Sequence, residues 1–366
     1  MAIADVTLKD IAESIGVNAS TVSRALDPAK AHLVNAATIA RVREAAKDLG
    51  YRGDHIAGSL RRRATATVGV IVADLANPFI APVIHGIATS LAAEQMLPLI
   101  FESEDDADRL TWGVNHLLSR RVDAIIVAGA RFGDRHVLEA ATRFTPVVVA
   151  VRGLPGSPLP HVLHDDRAGG AMAARHLIDL GHTRLAELRG PMDIGNFVAR
   201  HEGFRDACRD ASVEFVDGLS FGSRPIREEG ERLANELLNR HGSVLPTAVF
   251  AHNDLMALGA LSVFRVHGLA CPRDISLVGY NNSPTIDQVD PPLTSVAYPG
   301  AEVGQAAGSL ALQLIARTDR RIPGAVFQPT ILVRESTAPP AATPSRRVPG
   351  TTAPPANPLT EVSDAG

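Results

Sequence analysis

From Ala66 onward the chain alternates between two apolar patterns, and this alternation limits its fold more than any other feature. TVGVIVAD (67–74) is apolar almost throughout, as in a parallel strand covered on both faces. A helix is expected over about 79–96, followed by LPLIFES, a helix through 110–118, VDAIIVAG (122–129), a helix near 137–144 and PVVVAVRG (146–153). A strand around 161–163 leads to a helix at 169–180. TRLAELRG, a helix around 197–208, a strand near 219–221, a helix at 229–241 and TAVFAHND continue the pattern. A helix at 256–267, DISLVGYNN, SVAYP, a helix near 303–316 and VFQPTILVRES complete it. Regular β-α-β alternation implies parallel, doubly wound sheets. There are too many strands for one sheet of ordinary size, so the body should divide into two lobes.

The stretch before this body has a different period. In TLKDIAESIGVNASTVSRAL (7–26), Thr7 is a good helix N-cap, and Leu8, Ile11, Ala12 and Ile15 follow at helical spacing. Gly16 stops that helix. A second short helix from Ala19 turns Val22, Ala25 and Leu26 inward and leaves Ser20, Thr21, Ser23 and Arg24 to face a partner. Two short helices joined by a glycine-containing turn suit a helix-turn-helix that enters a DNA major groove. An ordinary helical hairpin in a core has the same spacing. Asn35 should cap a third helix whose Ile39, Val42, Ala46 and Leu49 close a small core, with Arg41, Arg43 and Lys47 off that stripe.

The sequence Val6, Thr7, Asp10, Ile11, Ala12, Gly16, Val17, Asn18, Thr21, Val22, Ser23, Arg24, Leu26 resembles the headpiece of the LacI/GalR family of bacterial transcriptional regulators. Asn18 stands where serine is usual, and both residues can cap a helix. The body shares further landmarks, among them Asp74-Leu75-Ala76-Asn77-Pro78-Phe79, Leu180-Gly181-His182, Asn253-Asp254-Leu255-Met256-Ala257 and Asp290-Pro291-Pro292-Leu293-Thr294. The resemblance covers residues 5–337. It implies a helix-turn-helix headpiece on a periplasmic-binding-protein-like body of two Rossmann-like lobes, with a small effector, a sugar or sugar derivative, between them. It also implies a homodimer reading the half-sites of a near-palindromic operator.

Charge is distributed to match. Residues 1–63 hold ten Lys/Arg against seven Asp/Glu, while the rest of the chain holds 26 against 33. A positive head on a negative body suits a head that touches phosphates. The apolar fraction of 45% supports a large core, and aromatics at 4% make that core aliphatic. No apolar run reaches the length of a membrane span and no basic-apolar leader precedes the first helix, so a soluble cytoplasmic protein is expected. Cys208 and Cys271 match no metal spacing and read as reduced thiols.

The expected domains are a headpiece at 1–51, a hinge linker at 52–66, the two-lobed body at 67–337 and a Pro/Ala-rich disordered tail at 338–366. In the linker RGDHIAGSLRRR (52–63), Asp54 is placed to cap a short helix carrying Ile56, Ala57 and Leu60. The resemblance implies that this helix forms on DNA, with Leu60 wedging into a minor-groove base step. A disordered basic linker is the other reading. The DNA-facing set is therefore Ala19, Ser20, Thr21 and Arg24, with Thr7, Asn18 and Ser23 positioning the backbone and Ala57 and Leu60 in the hinge.

The resemblance also places the effector among Asp74, Asn77, Phe79, Arg200, Phe221, Asn253 and Asn281. Two departures from the family pattern stand out. Asn281 and Val151 occupy positions where aspartate is common, and Arg152 follows Val151. Fewer carboxylates beside two arginines point toward an anionic or less hydroxylated ligand. Read without the resemblance, Asp74 is a helix cap, Arg200 a partner for Glu202 or a solvent-side acid, and Phe221 a core residue. His164-Asp165-Asp166 looks metal-like, but adjacent residues on an extended segment alternate faces. Gly169-Gly170 opens a helix and suits either an anion or close packing. No Walker, GxGxxG, GxSxG or HExxH pattern suggests an enzyme, and neither a cofactor nor a metal is expected. A DNA-binding repressor controlled by an effector is the reading adopted. The alternative is a cytoplasmic sugar-binding or sugar-modifying protein whose headpiece only mediates self-association.

Overall fold

The computed structural model describes residues 6–27, 30–51, 65–216, 219–242, 244–316 and 324–341. The chain forms two units, 1–65 and 66–366. In the first, α1 (Leu8–Ile15) opens with a reciprocal cap. Asp10 N–H donates to Thr7 Oγ1 at 3.4 Å, and the Asp10 carboxylate accepts from Thr7 N–H at 2.7 Å. Gly16 ends the helix at φ +69°, a left-handed conformation that glycine adopts without cost. In α2 (Ala19–Leu26), Asn18 Oδ1 caps Ser20 N–H at 2.9 Å. In α3 (Ala36–Asp48), Asn35 Oδ1 caps Thr38 N–H at 2.8 Å. Ile11, Ala12, Val22, Ala25, Val42 and Ala46 form the core. Leu49, expected in that core, is 40% exposed, because the helix ends at Asp48 and Tyr51 packs in its place. Arg41, off the apolar stripe of α3, donates to Ile15 O at 2.7 Å and so ties α3 to the end of α1.

The body begins with β1 (Thr67–Val72), α4 (Ile80–Ala93), β2 (Leu97–Glu102), α5 (Ala107–Ser119), β3 (Ala124–Val127), α6 (Arg135–Ala141), β4 (Val147–Ala150) and β5 (His161–His164). The chain then crosses to a second lobe: α7 (Asp166–Asp179), β6 (Arg184–Leu188), α8 (Gly195–Asp210), β7 (Glu214–Val216), α9 (Arg227–His241), β8 (Ala248–Ala251), α10 (Asp254–Val266), β9 (Ser276–Asn281) and β10 (Thr294–Ala297). It returns through α11 (Gly300–Ala316) and β11 (Ala325–Phe327), then crosses once more to β12 (Thr330–Leu332). The sheet orders are β11-β5-β4-β3-β1-β2 and β12-β10-β9-β8-β6-β7. All pairings are parallel except β12 with β10. The uniformly apolar runs are the central strands, and β2, whose leucines are exposed, is an edge.

Three expectations need correction. The strand expected near 219–221 is instead β7, which pairs with β6, while Phe221 makes only a single bridge to Arg189. The closing VFQPTILVRES divides into two three-residue strands in different sheets around Gln328-Pro329, because proline has no N–H to continue a ladder. The tail expected to be loose from 338 is attached at its start: Ala338 O accepts from His182 Nε2 at 2.9 Å, and Ala338 N–H donates to Ser276 Oγ at 3.1 Å. The rest of that tail, 342–366, lies outside the described residues, as does the linker from 52 to 64.

The Gly169-Gly170 pair is a packing device. A Cβ on Gly170 would lie 2.1 Å from Arg200 O, and one on Gly169 would lie 2.3 Å from the Tyr280 hydroxyl. From the other side, a Cβ on Gly203 would lie 1.9 Å from Arg167 O, so α7 and α8 touch backbone to backbone. Gly170→Ala should therefore destabilise the protein by about 1–3 kcal/mol in urea unfolding, the usual range for overpacking. Unchanged stability would return the glycine pair to the anion-receiving reading.

Candidate functional site

Two surfaces collect the residues singled out from the sequence. On the first unit, Ser20 and Arg24 are exposed one turn apart on α2, Ala19, Thr21 and Ser23 are half-buried, and Val22 and Ala25 anchor the opposite face. Among the described residues Arg24 makes no hydrogen bond or ion pair. The side chains of Thr7 and Asn18 are used as caps. Ala57 and Leu60 lie outside the described residues.

The second surface is a cavity between the lobes of the body, at the carboxyl ends of the strands, where open α/β sheets bind ligands. Asp74, Asn77 and Phe79 enter it from the loop after β1, Arg200 from α8, Asn253 from the end of β8 and Asn281 from the end of β9. Six of the seven expected effector residues are thus brought together. Phe221 is not among them. Its bridge to Arg189 holds it outside the cavity, and it is 55% exposed. The sequence reading also missed Asp105, Asn196, Phe197 and Arg224, all of which line the cavity. The available signal was position, since Asp105 follows β2 and Asn196 lies shortly after β6.

Arg200 is the most constrained of these side chains. It is 2% exposed, donates from Nε to Asp166 at 2.8 Å and from Nη1 to His252 O at 2.5 Å, and lies 3.6 Å above the Tyr280 ring. Its expected partner Glu202 instead takes Arg167 at 2.7 Å. The metal-like triplet is spent in the same way. His164 Nδ1 meets the Tyr280 hydroxyl at 2.8 Å, Asp165 caps α7, and Asp166 holds Arg200. Behind Arg200, Gly190 N–H donates to His252 Nδ1 at 3.2 Å, so the proton of a neutral His252 sits on Nε2 and is given to Glu187 at 3.1 Å. Burial opposes the charged Glu187 carboxylate, but hydrogen bonds from His201 and His252 outweigh it and hold its pKa below the ordinary range.

Amides complete the walls. Asn253 accepts from Met256 N–H at 2.8 Å and donates to Pro225 O at 2.7 Å, which fixes the loop before α9. Asn281 sits at φ +107° and is 7% exposed. Asn196 Oδ1 is buried without a hydrogen-bond partner, a group that a ligand donor would satisfy. Both arginines singled out from the sequence are paired in space. Arg152 pairs with Asp105 and Arg200 with Asp166, which is not part of the lining; the lining itself holds two carboxylates, Asp74 and Asp105, and three guanidiniums, those of Arg152, Arg200 and the exposed Arg224. At the rim, Arg131 of the first lobe holds Asp193 of the second through bonds of 2.8 and 2.9 Å.

Beside Asn253, Asp254 is fully buried and accepts from Ser283 N–H and Ser295 Oγ, each at 2.7 Å. Burial pushes its pKa up from 3.8 to about 6. Folding therefore favours its protonated form, and that contribution is lost as pH rises through about 6. Comparing urea stabilities at about pH 5 and about pH 8, Asp254→Asn should gain about 1–1.5 kcal/mol relative to the unchanged protein. A gap that does not move with pH would refute the assignment.

Residues 7–54 match the family model for bacterial regulatory proteins of the lacI family, and residues 174–337 match that for a periplasmic binding protein-like domain. The chain is 32% identical over 333 residues to the HTH-type transcriptional repressor PurR of Aliivibrio fischeri (strain MJ11), covering 90% of this chain and 98% of the relative. It is 32% identical to the HTH-type transcriptional regulator GalS of Salmonella typhimurium, with 91% and 97% covered. Among solved structures it is similar to a transcriptional regulator CelR–cellobiose complex, at 30% identity and a TM-score of 0.68, covering 90% of this chain and 99% of that one. It shares the fold of a Lac repressor dimer bound to operator, at 24% identity and a TM-score of 0.82, with 91% and 99% covered. With its helix-turn-helix headpiece and two-lobed body, the chain belongs to the lacI family of bacterial regulatory proteins.

Proposed function

We propose that this DNA-binding transcriptional regulator is a repressor whose operator affinity is set by a small, uncharged, hydroxylated effector held between the lobes. The observation that carries the reading is the composition of the cavity: Arg152 and Arg200 each held by a carboxylate, amides from three loops, and the unsatisfied Asn196 acceptor. Paired charges offer a hydroxyl both an acceptor and a donor without favouring a net charge. The similarity to a cellobiose-bound regulator supports the same class of ligand. The anionic or less hydroxylated ligand expected from the sequence rested on Arg152 and Arg200, and each of these has a carboxylate partner.

A homodimer would place two headpieces on the half-sites of a near-palindromic operator. Ser20, Thr21 and Arg24, with Ala19, would meet base edges and nearby phosphates, while Thr7, Asn18 and Ser23 would orient the backbone. Ala57 and Leu60 would enter the minor groove through the hinge. An effector that prefers one lobe arrangement must, by linkage, change operator affinity. Among the described residues no helix is long and apolar enough to cross a membrane, and the similarity to DNA-binding repressors supports a cytoplasmic protein. The similarity to regulators favours a protein that catalyses no reaction over one that binds or modifies sugar and uses its headpiece only for self-association.

The test uses an operator selected from random DNA by the full-length protein. At fixed salt, Arg24→Ala should weaken operator binding by about 1–3 kcal/mol, the range for a lost base contact. Unchanged affinity would remove α2 from the groove, and a protein indifferent to DNA at every salt concentration would favour the self-association reading.

A further inference from the structure

Asp105 lies in a run of three acids, Glu104, Asp105 and Asp106, and is the member of that run that lines the cavity. Glu104 pairs with Arg109 at 2.8 Å, and Asp106 caps α5 by accepting from Arg109 N–H at 2.7 Å. Asp105, at φ +59°, has a side chain only 4% exposed. Its carboxylate takes Arg152 Nη1 closely and Nη2 at 3.5 Å. The Arg152 side chain is 8% exposed, and its remaining bond, to Gly129 O, is a long one at 3.3 Å. Arg131 also reaches Asp105, donating to its backbone O at 3.0 Å and lying 3.9 Å from its carboxylate, while holding Asp193 across the lobes. Asp134, the other acid near this pair, accepts from Arg131 N–H at 2.8 Å.

We infer that Asp105 determines the charge class of the effector: by occupying Arg152 inside the cavity, it makes the site refuse anions and accept uncharged polyols. A guanidinium sheltered from water is a strong receptor for a phosphate or carboxylate, and a bidentate partner of its own is what blocks it. Any anion reaching Arg152 must displace Asp105 and remain close to a second negative charge. A hydroxyl displaces nothing, because it can accept from Arg152 and donate to Asp105 together. Asp105 thus supplies a carboxylate to the cavity wall.

The inference rests on reading the cavity as the effector site, and its probe is inorganic phosphate. Calorimetric titrations at constant ionic strength would compare the full-length protein with Asp105→Asn, Asp105→Ser, Arg152→Met and the Asp105→Asn/Arg152→Met double variant. The unchanged protein should show no saturable phosphate binding. Either variant at 105 that keeps a cooperative thermal transition should gain it, tightening by about tenfold or more, the scale of one charge-assisted contact. The double variant should lose that gain. Phosphate binding by the unchanged protein as tight as by Asp105→Asn, or folded 105 variants that gain none, would overturn the inference. A screen of neutral sugars tests the effector reading separately: a phosphate gain in Asp105→Asn with no sugar bound by the unchanged protein would leave the role of Asp105 standing and sink that reading.

Discussion

The body depends on burying one guanidinium. Arg200 is withdrawn from water almost completely, and a charge in that position is tolerated only when fully paired. Asp166, the His252 carbonyl and the Tyr280 ring supply the partners, and each comes from a different element. Satisfying Arg200 therefore fixes α8 against α7 and both against the ends of β8 and β9. The glycines between α7 and α8 allow the close approach that this requires. Tyr280 extends the arrangement through its hydroxyl to His164 of the first lobe, so the pairing also links the two sheets.

The same economy shapes the cavity. Arg152 and Arg200 are paired with carboxylates before any ligand arrives, and Asn253 is spent on a cap and a loop tether. What remains for a ligand is the orphaned Asn196 oxygen and pairs of charges that a hydroxyl can bridge. A ligand of this kind gains from geometry rather than from net charge. That suits a switch, because contacts reaching from both lobes have different strengths when the lobes move. The Arg131–Asp193 pair at the rim belongs to the same set of interlobe contacts.

The headpiece solves a different problem. A six-residue core of mostly small side chains buries little apolar surface, so the turns and helix ends carry much of the specification. Thr7, Asn18 and Asn35 each satisfy an otherwise orphaned N–H, Gly16 turns the chain, and Arg41 takes the exposed carbonyl at the end of α1. With these groups spent on structure, Ser20 and Arg24 are left exposed on one face of α2, the face proposed to meet DNA.

The sequence by itself determined what local patterns and spacing can encode. The caps at Thr7, Asn18 and Asn35 and the turn at Gly16 are short-range chemistry, and the apolar runs of β1, β3 and β4 name central strands because both of their faces are covered. Six of the cavity residues were legible only through the resemblance; five of them, all but Arg200, lie at or just after strand ends. Where periodicity was weak, the reading failed: β7 was placed too late and Leu49 was put in the core; Phe221, put in the cavity by the resemblance, lies outside it. Tertiary structure alone decided which charges meet. Asp105 and Arg152 are 47 residues apart, and Arg200 and Asp166 are 34 apart. No local pattern links such pairs, because a Coulomb interaction depends on distance in space and on burial, both of which are set only when the strands and helices pack. For that reason the arginines read as an excess along the chain, whereas in the folded protein they are neutralised.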